Sequence, residues 1–519
     1  MKRTLALSVL AHLPLLGMGA VTVLAFYGLV GLGRGVPDWT IWQDAYIQAI
    51  LLFSLQQAGL SAVLSVLLAY PVARALYYWP QLPFRRAFLA LCLLCFVLPT
   101  LVLITGLVAL LGHSGWLTPL MGRSWSLYGL HGILLAHVFL NLPFAVRALY
   151  LQLQAIPDSS WRLALQLKLS AWQRWRWVEW PMLRGRLWVL FGFVAVLCFN
   201  SFAVVLALGG GPQSTTLEVA IYQALKYDFN IPEALMLAWG QFLIAGCLFL
   251  LMARFGSVAW LSADMASRLW LPKPGRLVRS LHGVVYAAAW LCLLLPLVAL
   301  LPGLLRLDSA RWQHLPVWLP TLTSLGLGVA CAVSSLFAAY VLLLPIRWAR
   351  IAKQQRRQWL LEWAAMHTLV APAMVLSVGL YVFLLQHMDI ERWGMAVVAL
   401  LNTLVIIPFA LQQLRPRLFQ FDDQYQRLVS GLKLSPWQRW QVEWPWLRQT
   451  LQSAFVLVLL LAMGDVAIFS IFGNQDWMTL PWLIYSYAGS YRMAEASAVS
   501  VLLLLICALL VGWFERVQK

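Results

Sequence analysis

Two copies of one string lie about half a chain apart: LKLSAWQRWRWVEWP at residues 167–181 and LKLSPWQRWQVEWP at residues 432–445. The offset is 265 residues at the first leucine and 264 at the final proline, because the second copy lacks one residue between Trp440 and Val442. Self-similarity of this kind indicates an internal duplication. Each copy is basic and rich in tryptophan within a largely apolar chain, so the pair is interpreted as a repeated surface element of a membrane protein.

The composition places the rest of the chain in a bilayer. Of 519 residues, 62% are hydrophobic and 11% are charged, with a mean hydropathy of +0.78, whereas soluble domains have about 25% charged residues. Twelve apolar segments approach the length needed to cross about 30 Å of hydrocarbon, so we predict an all-α, polytopic membrane protein. The predicted spans are residues 5–31, 51–78, 87–112, 128–150, 187–208, 233–256, 282–304, 319–345, 361–385, 393–413, 450–472 and 494–514.

The distribution of basic residues predicts the orientation. With the N-terminus and C-terminus in the cytoplasm, only seven of the 37 Lys and Arg residues lie outside, as the positive-inside rule requires. This orientation accounts for the formal charge of +18, so no nucleic-acid partner is expected. All seven cysteines fall within apolar spans, where they are interpreted as small hydrophobic residues.

The domain organisation follows from the span count. Six predicted spans precede a basic linker at residues 257–281 and six follow it. An even number of spans in each half brings the chain back to the side of the membrane on which that half began. The repeats 1–256 and 282–519 are therefore predicted to be parallel, related by an axis along the membrane normal. Pro143-Phe144 and Pro408-Phe409 extend the duplication ahead of the repeated strings.

No pattern typical of an enzyme accompanies these spans. The sequence has no phosphate-binding loop and no Gly-Lys dipeptide, and nucleophile elbows and clustered carboxylates are also missing. No cofactor and no metal site are therefore predicted, and any ATP must be hydrolysed by a separate protein.

The repeated strings predict a short cationic amphipathic helix at the inner membrane face. Trp and Arg at headgroup depth are typical of an interfacial anchor, whereas duplication of the polar residues favours a docking element for two copies of one partner. We expect reversal of the charge at both Glu179 and Glu443 to uncouple transport without preventing membrane insertion. The residues assigned to the loops are Arg162, Ala164, Lys168, Trp172, Arg174, Glu179 and Pro181 in the first copy, and Arg427, Lys433, Trp437, Arg439, Glu443 and Pro445 in the second.

These loops resemble the cytoplasmic coupling motif of ATP-binding-cassette importer permeases, in which E-A-A is followed by Gly four positions on and Pro about thirteen beyond. Pro181 and Pro445 fit the motif, while Lys168 and Lys433 stand at the Gly position. Lysine fits there if the backbone keeps an ordinary conformation. The E-A-A positions read Arg162-Leu163-Ala164 and Arg427-Leu428-Val429.

A closer resemblance is to the thiamine transporter permeases, a fused, double-length group within that class. It rests on stretches spread over nearly the whole chain, among them YGLHGILLAHVFLNLP at 128–143 and LGGGPQSTTL at 208–217. The resemblance implies a bacterial inner-membrane subunit that imports thiamine or its phosphates, a periplasmic binding protein that delivers them, and two identical ATPase subunits. The alternatives are an importer for ferric iron or a polyamine, and an ion-coupled secondary transporter without an ATPase.

Asp465 is the one acidic residue predicted to lie in the interior of a span, away from its ends. A charge at that depth is costly and usually faces a partner or a water-filled path, so Asp465 is a candidate for the substrate path. A structural hydrogen bond or helix cap beside Gly464 is the alternative. Asn200 and Ser201 occupy the corresponding place in the first repeat and share both interpretations.

Overall fold

The computed structural model describes residues 2–31, 39–121, 125–253, 275–307, 315–369 and 372–517, and these segments contain helices and connections but no strand. In the first half the α-helices are α1 (Lys2–Gly31), α2 (Ala45–Tyr78), α3 (Arg85–Val97), α4 (Thr100–Leu111), α5 (Thr118–Met121), α6 (Leu130–Gln154), α7 (Asp158–Gln166), α8 (Ala171–Arg174), α9 (Trp180–Phe199), α10 (Phe202–Leu208), α11 (Leu217–Lys226) and α12 (Ile231–Ala253).

The second half repeats this order with fewer breaks. Its helices are α13 (Arg276–Val298), α14 (Leu301–Leu305), α15 (Trp318–Ile351), α16 (Gln355–Ala365), α17 (Ala373–Leu384), α18 (Ile390–Gly431), α19 (Pro436–Met463), α20 (Ala467–Phe472), α21 (Leu480–Gly489) and α22 (Met493–Val517). Helix α13 begins within the predicted linker, whose residues 257–274 lie outside the described part of the chain.

The all-α, multi-span fold predicted from composition is confirmed. Within the described ranges, ten helices are long and apolar enough to cross a membrane, and an eleventh span is formed if α3 and α4 count together. Helices α3 and α4 meet at an angle of 104°. The bend lies at Pro99, which has no amide hydrogen and disfavours helical geometry at the residue before it.

The segment predicted as one span at 361–385 is divided in the same way. Helix α16 ends at Ala365, a short 3₁₀ turn follows at His367–Leu369, and α17 begins directly after Pro372. Hydropathy averaged over the segment could not show this break, because the proline and the polar turn are surrounded by apolar residues.

Backbone geometry repeats between the halves. Helices α2 and α15 are each 34 residues long. The six non-glycine residues of the described chain with positive φ fall at three pairs of equivalent places, and a positive φ is uncommon outside glycine. The pairs are Phe84 with Lys353, Lys168 with Lys433, and Phe229 with Tyr491.

The first helix of each half packs against the other half. Helix α1 lies along α17, and α13 lies against α2 and α4. Glycines permit the close approach: a Cβ placed on Gly28 would collide with the carbonyl oxygen of Gly379, and one on Gly106 with that of Pro296. Small residues of this kind let membrane helices meet at short distance, so the halves interlock.

Candidate functional site

The first repeated string begins in a helix C-terminus that has the hydrogen bonds of a Schellman motif. The amide of Leu169 donates to the carbonyl of Ala164 at 3.0 Å, and that of Lys168 donates to Leu165 at 2.8 Å. Lys168 is left-handed, with φ of 51°. This is the position that glycine usually occupies in such a motif.

The second string has the same turn. The amide of Leu434 approaches the carbonyl of Val429 at 3.5 Å, that of Lys433 donates to Ser430 at 3.2 Å, and Lys433 has φ of 49°. The condition under which lysine was expected to fit, an ordinary backbone conformation, is therefore not met at either position. Both lysines adopt the conformation that the motif's glycine would favour.

Replacing Lys168 and Lys433 together with glycine should raise stability by about 1 kcal/mol per site, because a left-handed backbone is strained in residues with a Cβ. The measurement is the apparent unfolding temperature of the purified chain in detergent. Arg427→Gly is the matched control, since Arg427 lies within α18 and glycine inside a helix costs about 1 kcal/mol. An unfolding temperature that falls in both variants would contradict the assigned strain.

A second helix follows each turn and begins with a reciprocal cap. Ser170 accepts from the amide of Gln173 and Gln173 accepts from that of Ser170, and Ser435 with Gln438 does the same. This is the capping box, which satisfies two amides at a helix start. It follows in both halves directly from the sequence S-x-x-Q.

The one-residue difference between the strings has a structural counterpart. In the first half, residues Trp175–Glu179 form a π-helical turn between α8 and α9. In the second half, which lacks one residue here, α19 runs through the same place as a continuous α-helix. An extra residue within a helix is accommodated as a wide turn, so the register after the insertion is preserved.

That preserved register brings a glutamate to the same buried place in each half. Glu179 is 1% exposed and is paired with Arg74 of α2 at 3.1 Å. The hydroxyl groups of Tyr70 and Tyr78 also donate to its carboxylate. The carboxylate thus joins the loop to the second helix of its own half.

The second half elaborates this pair into a network. Arg347 donates to Glu443 at 2.7 Å and to Asp422 at 2.6 Å, and all three side chains are buried. Arg439 contacts the same two carboxylates, at 2.8 Å for Glu443 and 3.0 Å for Asp422. Tyr340 donates to Glu443 at 2.9 Å.

These contacts change the expectation for the two glutamates. A lysine at position 179 or 443 would face Arg74 or Arg347 in a buried site, and unpaired buried charges are strongly destabilising. Charge reversal should therefore reduce the amount of folded protein, rather than leave an inserted but uncoupled one. Neither glutamate is available for direct contact with a docked protein.

The exposed part of each loop is a matched surface of two leucines and two basic residues, which we call the paired patches. The leucines are 56% and 62% exposed at positions 163 and 167, and 60% and 61% exposed at positions 428 and 432. The basic residues are exposed beside them. The patches consist of Arg162, Leu163, Leu167 and Lys168 in the first half and Arg427, Leu428, Leu432 and Lys433 in the second.

The remaining loop residues lie around these patches. Ala164 is buried beneath the first patch, Arg174 and Arg439 are half-buried, and Pro181 and Pro445 are exposed. The leucines were not singled out from the sequence, although their spacing of four residues in both repeats places them on one helix face.

The tryptophans face a different surface. Trp172 stacks on Trp175 with ring centroids 4.7 Å apart. In the second half, Trp437 lines an apolar groove of about 570 Å³ together with Phe337 of α15 and Trp513 of α22. Exposed aromatic residues on spanning helices are typical of an interfacial belt, which favours anchoring as the role of the tryptophans and leaves the paired patches for docking.

A cavity of about 310 Å³ lies between the halves. Both contribute to its wall: Phe96, Val97, Leu98, Pro99, Thr100, His137, Leu140, Asn141, Leu197 and Ser201 from the first, and Asn402, Val405, Ile406, Phe409, Leu460, Leu461, Gly464 and Asp465 from the second.

The structure brings Asp465 and Ser201 together in this wall, but not Asn200. The side chain of Asn200 accepts a hydrogen bond from Gln241 at 3.4 Å. Asp465 accepts from the amides of Ile468 and Phe469 at 3.4 and 3.2 Å, at the start of α20. Its two sequence-based interpretations are therefore compatible, since it accepts hydrogen bonds from the first turn of a helix, one residue before the N-cap Val466, and also lines a cavity.

Comparison with known proteins identifies the family. No family model matches the chain. The thiamine transport system permease protein of Haemophilus influenzae is 38% identical over 508 residues, which cover 95% of this chain and 94% of that protein. Its counterpart in Escherichia coli is 36% identical over 96% of this chain and 94% of its own length.

A half-length protein is also similar. A putative 2-aminoethylphosphonate transport system permease protein of Salmonella typhimurium is 27% identical over 275 residues, which are 48% of this chain but 97% of that protein. The extent and identity of the full-length matches decide the classification. This chain, a multi-pass inner-membrane protein, belongs to the family of thiamine transport system permease proteins.

Proposed function

We propose that this chain is the membrane-spanning permease of an ATP-driven importer of thiamine and its phosphates. A periplasmic binding protein delivers the cargo, and two copies of a cytoplasmic ATPase supply the energy. The observation that carries the proposal is the pair of equivalent exposed patches, one in each half, on a chain of the thiamine transport system permease family.

The paired patches suit two identical partners. Each presents two leucines about one helical turn apart, flanked by basic side chains, at the same place in its repeat. Exposed apolar residues rimmed by polar ones mark protein interaction sites. Two matching surfaces on one polypeptide fit two copies of one subunit, as the resemblance to importer permeases implies.

The buried ion pairs connect these patches to the spans. Glu179 joins the first loop to α2 through Arg74, and Glu443 joins the second to α15 through Arg347. When ATP closes the partner dimer, the two loops are drawn together and each carries the long helix of its own half with it. The halves then rock about the cavity between them, from inward-open to outward-open.

We infer the domain boundaries from the repeated geometry. Residues 1–256 and 282–519 are the two halves, and residues 257–281 join them. The half-length relative, nearly all of which matches about half of this chain, supports a fusion of two permease units.

We place both termini and both loops in the cytoplasm, which predicts where a reagent can reach. A cysteine at Ser170 or Ser435, both exposed, should react with a membrane-impermeant thiol reagent in inverted vesicles but not in intact cells. Ser490→Cys, on the opposite face, is the matched control and should react in intact cells opened only at the outer membrane. Labelling of Ser170→Cys from outside would contradict the orientation.

The identity of the cargo can be tested on the periplasmic binding protein. The periplasmic binding protein that delivers cargo to this permease should bind thiamine in a calorimetric titration, and its thiamine-loaded form should stimulate ATP hydrolysis by the reconstituted importer. Affinity for ferric iron or a polyamine without affinity for thiamine would contradict the assigned cargo.

A further inference from the structure

We propose that the cavity between the halves is a binding site for an organic cation, with the Asp465 carboxylate as its charged anchor. The proposal deepens the proposed function, on which it relies for the identity of the cargo. It assigns recognition to the permease itself, in addition to the binding protein.

The position of the cavity is set by interrupted helices. The break between α3 and α4 contributes Leu98 and Pro99, the break between α9 and α10 contributes Ser201, and the break before α20 contributes Gly464 and Asp465. Non-helical backbone at membrane depth is tolerated where it lines a cavity or is buried in protein. Three breaks meet at this one place.

The charge of the cavity has one sign. Asp465 is the only Asp or Glu among the described lining residues, and no Lys or Arg is among them. The two amides at the start of α20 hydrogen-bond to the carboxylate and so stabilise its negative charge. A carboxylate at membrane depth without a basic neighbour in the cavity wall favours a cationic ligand.

Aromatic rings add to this preference. Phe96 of α3 and Phe409 of α18 line the cavity from opposite halves. A cation over an aromatic face is stabilised by about 0.5–2 kcal/mol, and organic cations are commonly bound in this way. The cavity volume of about 310 Å³ lies at the small end of the range of roughly 300–1,000 Å³ for ligand pockets.

One ring nitrogen of His137, a further polar residue of the cavity wall, is unpaired within the described residues. His137 is 1% exposed, and its Nδ1 lies 3.0 Å from the hydroxyl of Ser61 in α2. Its Nε2 has no hydrogen-bond partner within the described residues. An unsatisfied buried polar atom costs about 1–3 kcal/mol, so this part of the cavity wall carries a polar group that its protein neighbours leave unsatisfied.

Two substitutions at Asp465 separate charge from helix capping. Asn is a good helix cap but carries no charge, whereas Glu keeps the charge and is a poorer cap. In proteoliposomes containing the complete importer and saturating binding protein, we expect Asp465→Asn to lower thiamine uptake at least tenfold and Asp465→Glu to retain more uptake than Asn. Asp389→Asn is the control, because Asp389 caps the start of α18, outside the cavity, by accepting from the amide of Glu391.

The reverse order, with Asn more active than Glu, or equal activity of both, would overturn the proposal in favour of a purely structural cap. Thiamine uptake absent from the unsubstituted importer would instead contradict the proposed function. If neither variant folds, Ser201→Cys decides. Excess thiamine should slow the modification of this cysteine by a cationic thiol reagent at least threefold, relative to the rate measured with an uncharged analogue of thiamine. Equal rates with thiamine and with the analogue would overturn the site.

Discussion

Replacing Arg347 with alanine should destabilise the protein by about 3–5 kcal/mol, the cost of leaving buried charges unpaired. Arg347 is 1% exposed and pairs with two carboxylates, Asp422 and Glu443. In its absence the partly exposed Arg439 would be the only cation among the described residues that contacts both of them. The measurement is the apparent unfolding temperature in detergent, together with the amount of protein recovered from membranes.

Two arginines provide a graded comparison. Arg350 pairs with the exposed Asp423, and such surface pairs contribute about 0–1 kcal/mol, so Arg350→Ala should change stability little. The loss of stability in Arg74→Ala should lie between those of the other two variants. Arg74 is 29% exposed, and its partner Glu179 would still accept hydrogen bonds from two tyrosine hydroxyl groups. A loss in Arg350→Ala as large as in Arg347→Ala would contradict the structural role of the network.

Replacing Leu167 and Leu432 together with glutamate should abolish co-purification of the ATPase and lower ATP-dependent uptake at least a hundredfold. The change places a charge at the centre of each paired patch, where an apolar contact is lost and a carboxylate is desolvated. Both leucines are more than 60% exposed, so the permease itself should fold and insert normally.

The single substitutions and a distant control make this result specific. Leu167→Glu alone should still retain the ATPase copy bound at the second half, with lower uptake. Leu305→Glu, at an exposed leucine of α14 outside the patches, should leave co-purification unchanged. Full co-purification in the double variant would contradict the paired patches as docking surfaces.

The sequence was sufficient for the features that depend on repetition and hydropathy. The duplicated string indicated two related halves, and apolar segment length predicted the spans. Hydropathy missed the division of residues 361–385, since a proline followed by apolar residues still averages as a span. The capping boxes at Ser170 and Ser435 were not predicted, although they depend on residues only three positions apart.

The site was harder to predict from the sequence than the fold, because its contacts join residues far apart in the chain. Nothing local distinguishes the buried Glu179 from an exposed charge, as its partner Arg74 is 105 residues away. The tryptophans of the repeated strings were assigned to the site from the sequence, whereas the leucines of the paired patches were not, because leucine is common throughout the chain. The sequence placed Asp465 and Ser201 at corresponding positions of the two repeats, and both line the cavity. His137 has no sequence signal that predicts an unpaired ring nitrogen in the wall of the same cavity.

ATP-driven import can be tested by measuring uptake of radiolabelled thiamine into proteoliposomes that contain this permease and its ATPase. We predict uptake only when ATP is inside with the ATPase and the binding protein is outside, and none when an ion gradient replaces ATP. Uptake driven by an ion gradient through the permease alone would contradict an ATP-driven importer and support a secondary transporter.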